Sequence, residues 1–137
     1  MNIVKETLGY KLHKIYNQIQ KATRGSLKEE GITGENYITM HYIFENPGIT
    51  QAQLADINQK DRNVIGKIID KLEEKRLVKR IRGEKDRRSF KLYLTENGKS
   101  VVAKYWSIIA KIEEKRLQRL DKEEQKKFLE LLAKISD

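Results

Sequence analysis

Two groups of side chains in this sequence have types and spacing that could do chemistry. The first is Arg62, Asn63 and Lys67, which fall together on one side of a helical projection. The second is a basic loop carrying Arg82, Lys85, Arg87 and Arg88. The chemistry they suit is recognition of a polyanion. Arg pairs with guanine, Asn with adenine, and Lys with guanine or phosphate. Guanidinium groups on a projecting loop suit phosphate and the negative potential of a minor groove. The charge is concentrated there: Arg76 to Lys91 holds eight Lys or Arg against Glu84 and Asp86, a local +6 within a net +9. Glu113 to Lys127, with six basic and five acidic residues, reads instead as a nearly neutral solvated face.

Bond-making chemistry finds little support. There is no phosphate-cradling Gly-rich loop, nucleophile elbow or His-Glu metal motif. The paired carboxylates Glu73-Glu74, Glu113-Glu114 and Glu123-Glu124 lie in charged helical runs and read as solvated faces. With no Cys and two His, neither thiol chemistry nor a metal site is expected, and no cofactor. The expectation is a protein that is not an enzyme. Its apolar runs are too short to span a membrane, and the first residues, MNIVKETLGYKLHK, do not read as a secretory signal. A cytoplasmic protein of one 137-residue domain without disulfides is expected.

Val4, Leu8, Leu12, Ile15 and Ile19 give one apolar stripe on a first helix, predicted to fail near Arg24-Gly25. Ser26 to Gly34 reads as a turn region, and a second helix covers Glu35 to Glu45 before Asn46-Pro47-Gly48 stops it. Thr50 and Gln53 fit a capping box opening a short helix with Leu54, Ala55 and Ile57 on its apolar face. After the turn Asn58-Gln59-Lys60, another helix runs from about Asp61 to Lys75. Its apolar face is Val64, Ile65, Ile68, Ile69 and Leu72, and its polar face includes Gly66. Two alternating segments follow, Leu77 to Arg82 and Phe90 to Leu94, joined by the charged loop Gly83 to Ser89. Thr95 caps a fifth helix, and Asp121 with Glu124 opens a last amphipathic one. The fold class is therefore mainly α with a small β-hairpin, in the order α-α-α-α-β-β-α-α.

Helix, turn, helix and basic hairpin form the layout of a winged helix-turn-helix. The longer helix would enter the major groove with Arg62, Asn63 and Lys67 outward. The start of the shorter one, at Thr50 and Gln51, would seat a phosphate, with Gln53 adding a side-chain contact and Lys60 adding charge nearby. Ile81, Leu92 and Leu94 would anchor the hairpin stem, while its tip reaches the DNA backbone. Asp86 is read as holding Arg87 or Arg88 in place by a charge-assisted bond.

On these residues the chain resembles the MarR family of transcriptional regulators. The wing pattern D-x-R-x-x-x-L-x-L-T-x-x-G is met at Asp86, Arg88, Leu92, Leu94, Thr95 and Gly98. Asp70 to Val78 resembles the family's D-x-L-E-x-x-G-L-V stretch, and Leu54-Ala55 matches its first helix-turn-helix helix. Two positions depart from the pattern. Arg76 stands where the family usually has Gly, which costs about 1 kcal/mol if the backbone there is left-handed. Gly66 stands where the family more often has Thr or Ser, and its missing side chain would admit either DNA or a packed neighbour.

The resemblance implies a DNA-binding region over 35–95 and a homodimer formed through helical regions 1–24 and 99–137. Such a dimer would be a sequence-specific regulator, a repressor on a near-palindromic double-stranded operator. It also implies a small aromatic or carboxylic ligand that releases DNA, with His13, Tyr37, His41 and Trp106 as pocket candidates set against the reading that such aromatics are core. The contrasting class is an architectural nucleic-acid-binding protein without sequence preference.

Overall fold

The computed structural model describes residues 3–85 and 88–136. Its elements are α1 (Leu8–Ser26), α2 (Gly34–Glu45), β1 (Ile49–Thr50), α3 (Gln51–Ile57), α4 (Arg62–Glu74), β2 (Val78–Arg82), β3 (Phe90–Leu94), α5 (Glu96–Leu117) and α6 (Lys122–Ile135), with short 3₁₀ turns at Val4–Glu6 and Lys28–Glu30. Asp86 and Arg87, and with them the predicted bond between Asp86 and an arginine at the tip, lie outside the described residues.

The predicted caps form. Thr50 and Gln53 make a reciprocal box at α3, Asp121 and Glu124 make another at α6, and Thr95 Oγ1 accepts from Gly98 N at the start of α5. α1 ends at Ser26, next to the predicted stop at Arg24-Gly25. The following Leu27 is fully buried, and its N–H closes on Thr23 O at 3.0 Å. Burying a leucine, worth about 1.5–3 kcal/mol, outweighs the roughly 1 kcal/mol cost of Gly25 within a helix.

One core joins the helix-turn-helix to the wing. Leu54, Ile65, Ile69 and Leu72 of α3 and α4 meet Tyr37, Met40 and Ile43 of α2, Val78 and Leu92 of the sheet, and Val101, Val102 and Tyr105 of α5. The sheet has three strands in the order β1-β3-β2, all antiparallel, with Ile49 opposite Leu92 and Val78 opposite Leu94. β1 was not predicted, because two residues are too few to show alternation.

The hairpin stem differs from expectation by one register position. Val78 is buried, so period two puts Arg80 and Arg82 on its face and turns Ile81 outward, where it is 48% exposed. Val78, Leu92 and Leu94 therefore anchor the wing, and Ile81 does not. Val64 and Ile57, placed on apolar faces by periodicity, are likewise exposed: α4 buries the narrower set Ile65, Ile69 and Leu72, and α3 buries Leu54 and Ala55.

Arg76 adopts φ +60°, the left-handed conformation considered for it above. Beyond it the chain is tied tightly: Thr95 N donates to Leu77 O at 3.0 Å, and Thr95 Oγ1 donates to Arg76 O at 2.7 Å. A Cβ on Gly98 would sit 2.1 Å from Leu77 O, so this position has room only for glycine.

The terminal helices leave much apolar surface open. α6 buries no residue, and Leu129, Leu131 and Ile135 are exposed, as are Leu8, Leu12 and Ile15 of α1. Among the described residues, no helix is long and apolar enough to cross a membrane.

Candidate nucleic-acid interface

The packing of α3 against α4 fixes which side of α4 is presented. With Ile65, Ile69 and Leu72 buried, Arg62, Asn63 and Lys67 are exposed on the other side. The turn that aims them is pinned to α2. Asn58 Nδ2 donates to the buried Thr39 Oγ1 at 2.6 Å, Lys60 N donates to Ala55 O at 3.0 Å, and Gln59 takes φ +54°.

Lys60 has a partner that the sequence did not show. Its Nζ lies 3.2 Å from Glu35 Oε2 and is engaged in an ion pair there. Glu35 Oε1 accepts the Tyr16 hydroxyl at 2.7 Å. Tyr16 donation, with a lesser contribution from Lys60, holds the Glu35 carboxyl below its ordinary range, although partial burial opposes this. Burial and the neighbouring carboxylate push the Tyr16 hydroxyl up to about 12. One carboxylate thus ties α1, α2 and the turn before α4.

On the wing side, Arg80 bonds residues of both α3 and α4 and was missed by sequence reasoning. Its side chain is 16% exposed, and its Nη2 lies 2.8 Å from Asp70 Oδ1 and its Nη1 3.1 Å from Glu73 Oε1. Nη2 also donates to Gly66 O at 3.3 Å, and Nε donates to Gln51 Oε1 at 3.3 Å. One guanidinium therefore joins β2, α3 and two turns of α4. The signal was available: Arg80 is two residues from the buried Val78, and Asp70 and Glu73 are spaced i, i+3 on the preceding helix.

Thr50, Gln51, Ala52, Arg62, Arg80, Arg88, Ser89 and Phe90 line one open groove of about 570 Å³. The structure thus brings together the expected Thr50, Gln51, Arg62 and Arg88. Gln53 is spent on its cap, with Oε1 accepting from Thr50 N at 3.0 Å. Arg82 stacks over Phe90, its guanidinium carbon 5.1 Å from the ring centroid, and Lys85 is exposed on the loop. Gly66 is backed by a packed neighbour: a Cβ there would lie 3.3 Å from Gln51 Nε2.

The four pocket candidates separate. Tyr37 is core, fully buried, with its hydroxyl donating to Val102 O at 2.7 Å and its acidity pushed down by burial, to a pKa of about 12. His13 is exposed on α1 beside Asn17 of the same helix. His41 and Trp106 do meet, with ring centroids 4.2 Å apart, and His41 Nδ1 lies 2.6 Å from Glu45 Oε1.

With this geometry in view, comparison with known proteins is informative. Residues 30–89 match the family model described as MarR family. The chain is 31% identical over 112 residues to the HTH-type transcriptional regulator BilQ of Clostridium symbiosum, covering 82% of this chain and 78% of that protein. Other relatives are longer, and the chain spans 64% and 49% of two of them. Among solved structures it resembles the S. aureus MepR–DNA complex, with TM-score 0.89 and 25% identity over 94% of this chain and 96% of that one. It also resembles the transcriptional repressor CouR bound to a 23-mer DNA duplex, with TM-score 0.86 and 26% identity over 100% and 99% of the two chains. The order of elements, the wing residues and these relationships agree: the chain belongs to the MarR family of winged helix-turn-helix transcriptional regulators.

Proposed function

We propose that the protein is a homodimeric, sequence-specific regulator of transcription, a repressor that binds a near-palindromic double-stranded operator. The observation that carries this reading is the groove between α3, α4 and the wing. There Arg62 and Arg88 converge with Thr50 and Gln51, beside the exposed Asn63 and Lys67. Arg62, Asn63 and Lys67 contact base edges, while Arg82, Lys85, Arg87 and Arg88 contact phosphate and the minor groove. The start of α3, at Thr50 and the main chain of Gln51, lies against the DNA backbone. Gln53 and Lys60 act indirectly, through the cap and the Glu35 pair. Asp86 orders the loop.

Two-fold pairing through 1–24 and 99–137 covers the apolar surfaces that α1 and α6 leave open, and leaves 35–95 for DNA. This spaces the two α4 helices about 34 Å apart, one turn of duplex. A small aromatic or carboxylic effector fits best beside the half-exposed Trp106 and His41, where a carboxylate would compete with Glu45 for the imidazole.

The test is selection of bound duplexes from a random pool at physiological salt. Enrichment of an inverted repeat with half-sites one turn apart is the expected result. Salt-sensitive binding to every duplex, with no enrichment, would replace this reading by an architectural binder.

A further inference from the structure

Gln51 carries a side chain whose orientation the surrounding residues decide. An amide can present either its oxygen or its nitrogen, and the two are distinguished by their partners. Here the partner of Oε1 is Arg80 Nε, at 3.3 Å, and an arginine can only donate. Arg80 is itself held by Asp70 at 2.8 Å, Glu73 at 3.1 Å and Gly66 O at 3.3 Å, so it is not free to turn. The Gln51 oxygen is therefore committed, and Nε2 is left as the outward end. It makes no hydrogen bond to any described residue and is not fully enclosed, since among those residues no buried side-chain polar atom lacks a partner, and Gln51 lines the groove shared with Arg62 and Arg88.

The place of Nε2 is as specific as its orientation. It lies over Gly66, where a Cβ would come within 3.3 Å of it. Gly66 is on the polar side of α4 with Arg62, Asn63 and Lys67. The notch left by the missing side chain at position 66 is thus filled by an amide from α3, presenting two N–H donors among the outward residues of α4.

We propose that Gln51 is a specificity-determining residue: its side-chain nitrogen donates through the Gly66 notch to an acceptor on a base edge in the major groove, with Arg80 as the positioning residue. This rests on the DNA-binding reading above. A donor-only group selects positions where guanine N7 and O6, thymine O4 or adenine N7 face it, and disfavours the cytosine amino group. Phosphate oxygens share the acceptor chemistry, and the test separates the two sources.

The experiment is selection from a random duplex pool with wild type, Gln51→Ala, Gln51→Leu and Gly66→Ala, together with affinities for the selected operator and a scrambled duplex. Both Gln51 variants are expected to lose about tenfold discrimination at one base pair per half-site, with the other positions kept. Gly66→Ala is expected to alter the same base pair while its thermal midpoint holds or rises, since Ala favours a helix over Gly. An unchanged selected sequence in both Gln51 variants overturns the proposal. Equal losses on operator and scrambled duplex reassign the amide to phosphate and overturn it too. Weakened preference at every position assigns Gln51 only to holding α4, with the same consequence. A wild type that selects nothing overturns the functional reading itself.

Discussion

Lys60 Nζ lies 3.2 Å from Glu35 Oε2, so the cation just before α4 belongs electrostatically to α2. The same carboxylate accepts from Tyr16 on α1. The aim of the recognition helix is thereby connected to the helix proposed to form the dimer seam, through one side chain that is only part-buried.

Protonating Glu35 weakens both bonds. Its folded-state acidity is enhanced, so the stability it contributes is present at neutral pH and is lost as pH falls below about 4.3 and on through the lower folded value. Tyr16 works the other way, with its contribution complete below about 10 and lost as pH rises toward about 12. Urea unfolding of Glu35→Gln at neutral pH is expected to show a loss of at most about 1 kcal/mol, since the pair is only part-buried and solvent screens it. The difference from wild type should shrink on acidification; a constant gap from neutral to strongly acid pH would contradict the assignment.

Arg76→Gly is expected to stabilise the protein. Arg76 has φ +60°, where a side chain costs about 1 kcal/mol, while its carbonyl bond to Thr95 is made by the backbone and survives the change. Extra chain entropy in the unfolded state offsets part of this gain. An unfolding free energy raised by about 0.5 kcal/mol is the expected result, and a lowered one would show that the Arg76 side chain holds the turn.

Leu129→Glu addresses the dimer. Leu129 lies on α6, which buries nothing within its own chain, so a charge there leaves the monomer core intact. Sedimentation is expected to show wild-type dimers and variant monomers with unchanged helicity, and operator affinity falls with the loss of the second half-site. A variant that stays dimeric moves the seam elsewhere.

Arg88→Ala is expected to weaken binding to every duplex and lower the slope of log affinity against log salt by about one unit. Arg88 shares the groove with Arg62, and Arg62→Ala should instead fall hardest on the operator. An unchanged slope in Arg88→Ala would take the tip off the DNA.

How much of this was legible in the sequence depends on what kind of signal each element carries. Thr50 with Gln53, and Asp121 with Glu124, announce helix starts because capping is local chemistry between residues three apart. The α4 stripe and the strand alternation are equally local, and so is the family pattern around Arg88 and Leu92. The errors came where a distant partner decides. Ile81 has the right type for a buried strand position, but Val78 already sets the inward face, and a one-residue register change reverses every assignment. The pairing of Lys60 with Glu35, well upstream in the chain, was equally out of reach of the sequence. Arg80 was passed over because its four partners lie on two other elements, α3 and α4, and only the fold brings them together.

The closure at Gly98 has a mechanical meaning. Its missing Cβ lets the first turn of α5 press against Leu77 O, while Thr95 bonds both Arg76 and Leu77 across the same junction. No slack exists there for α5 to slide past the root of the wing. A tilt of that long helix would have to carry the root of β2 with it, as a crank carries its arm.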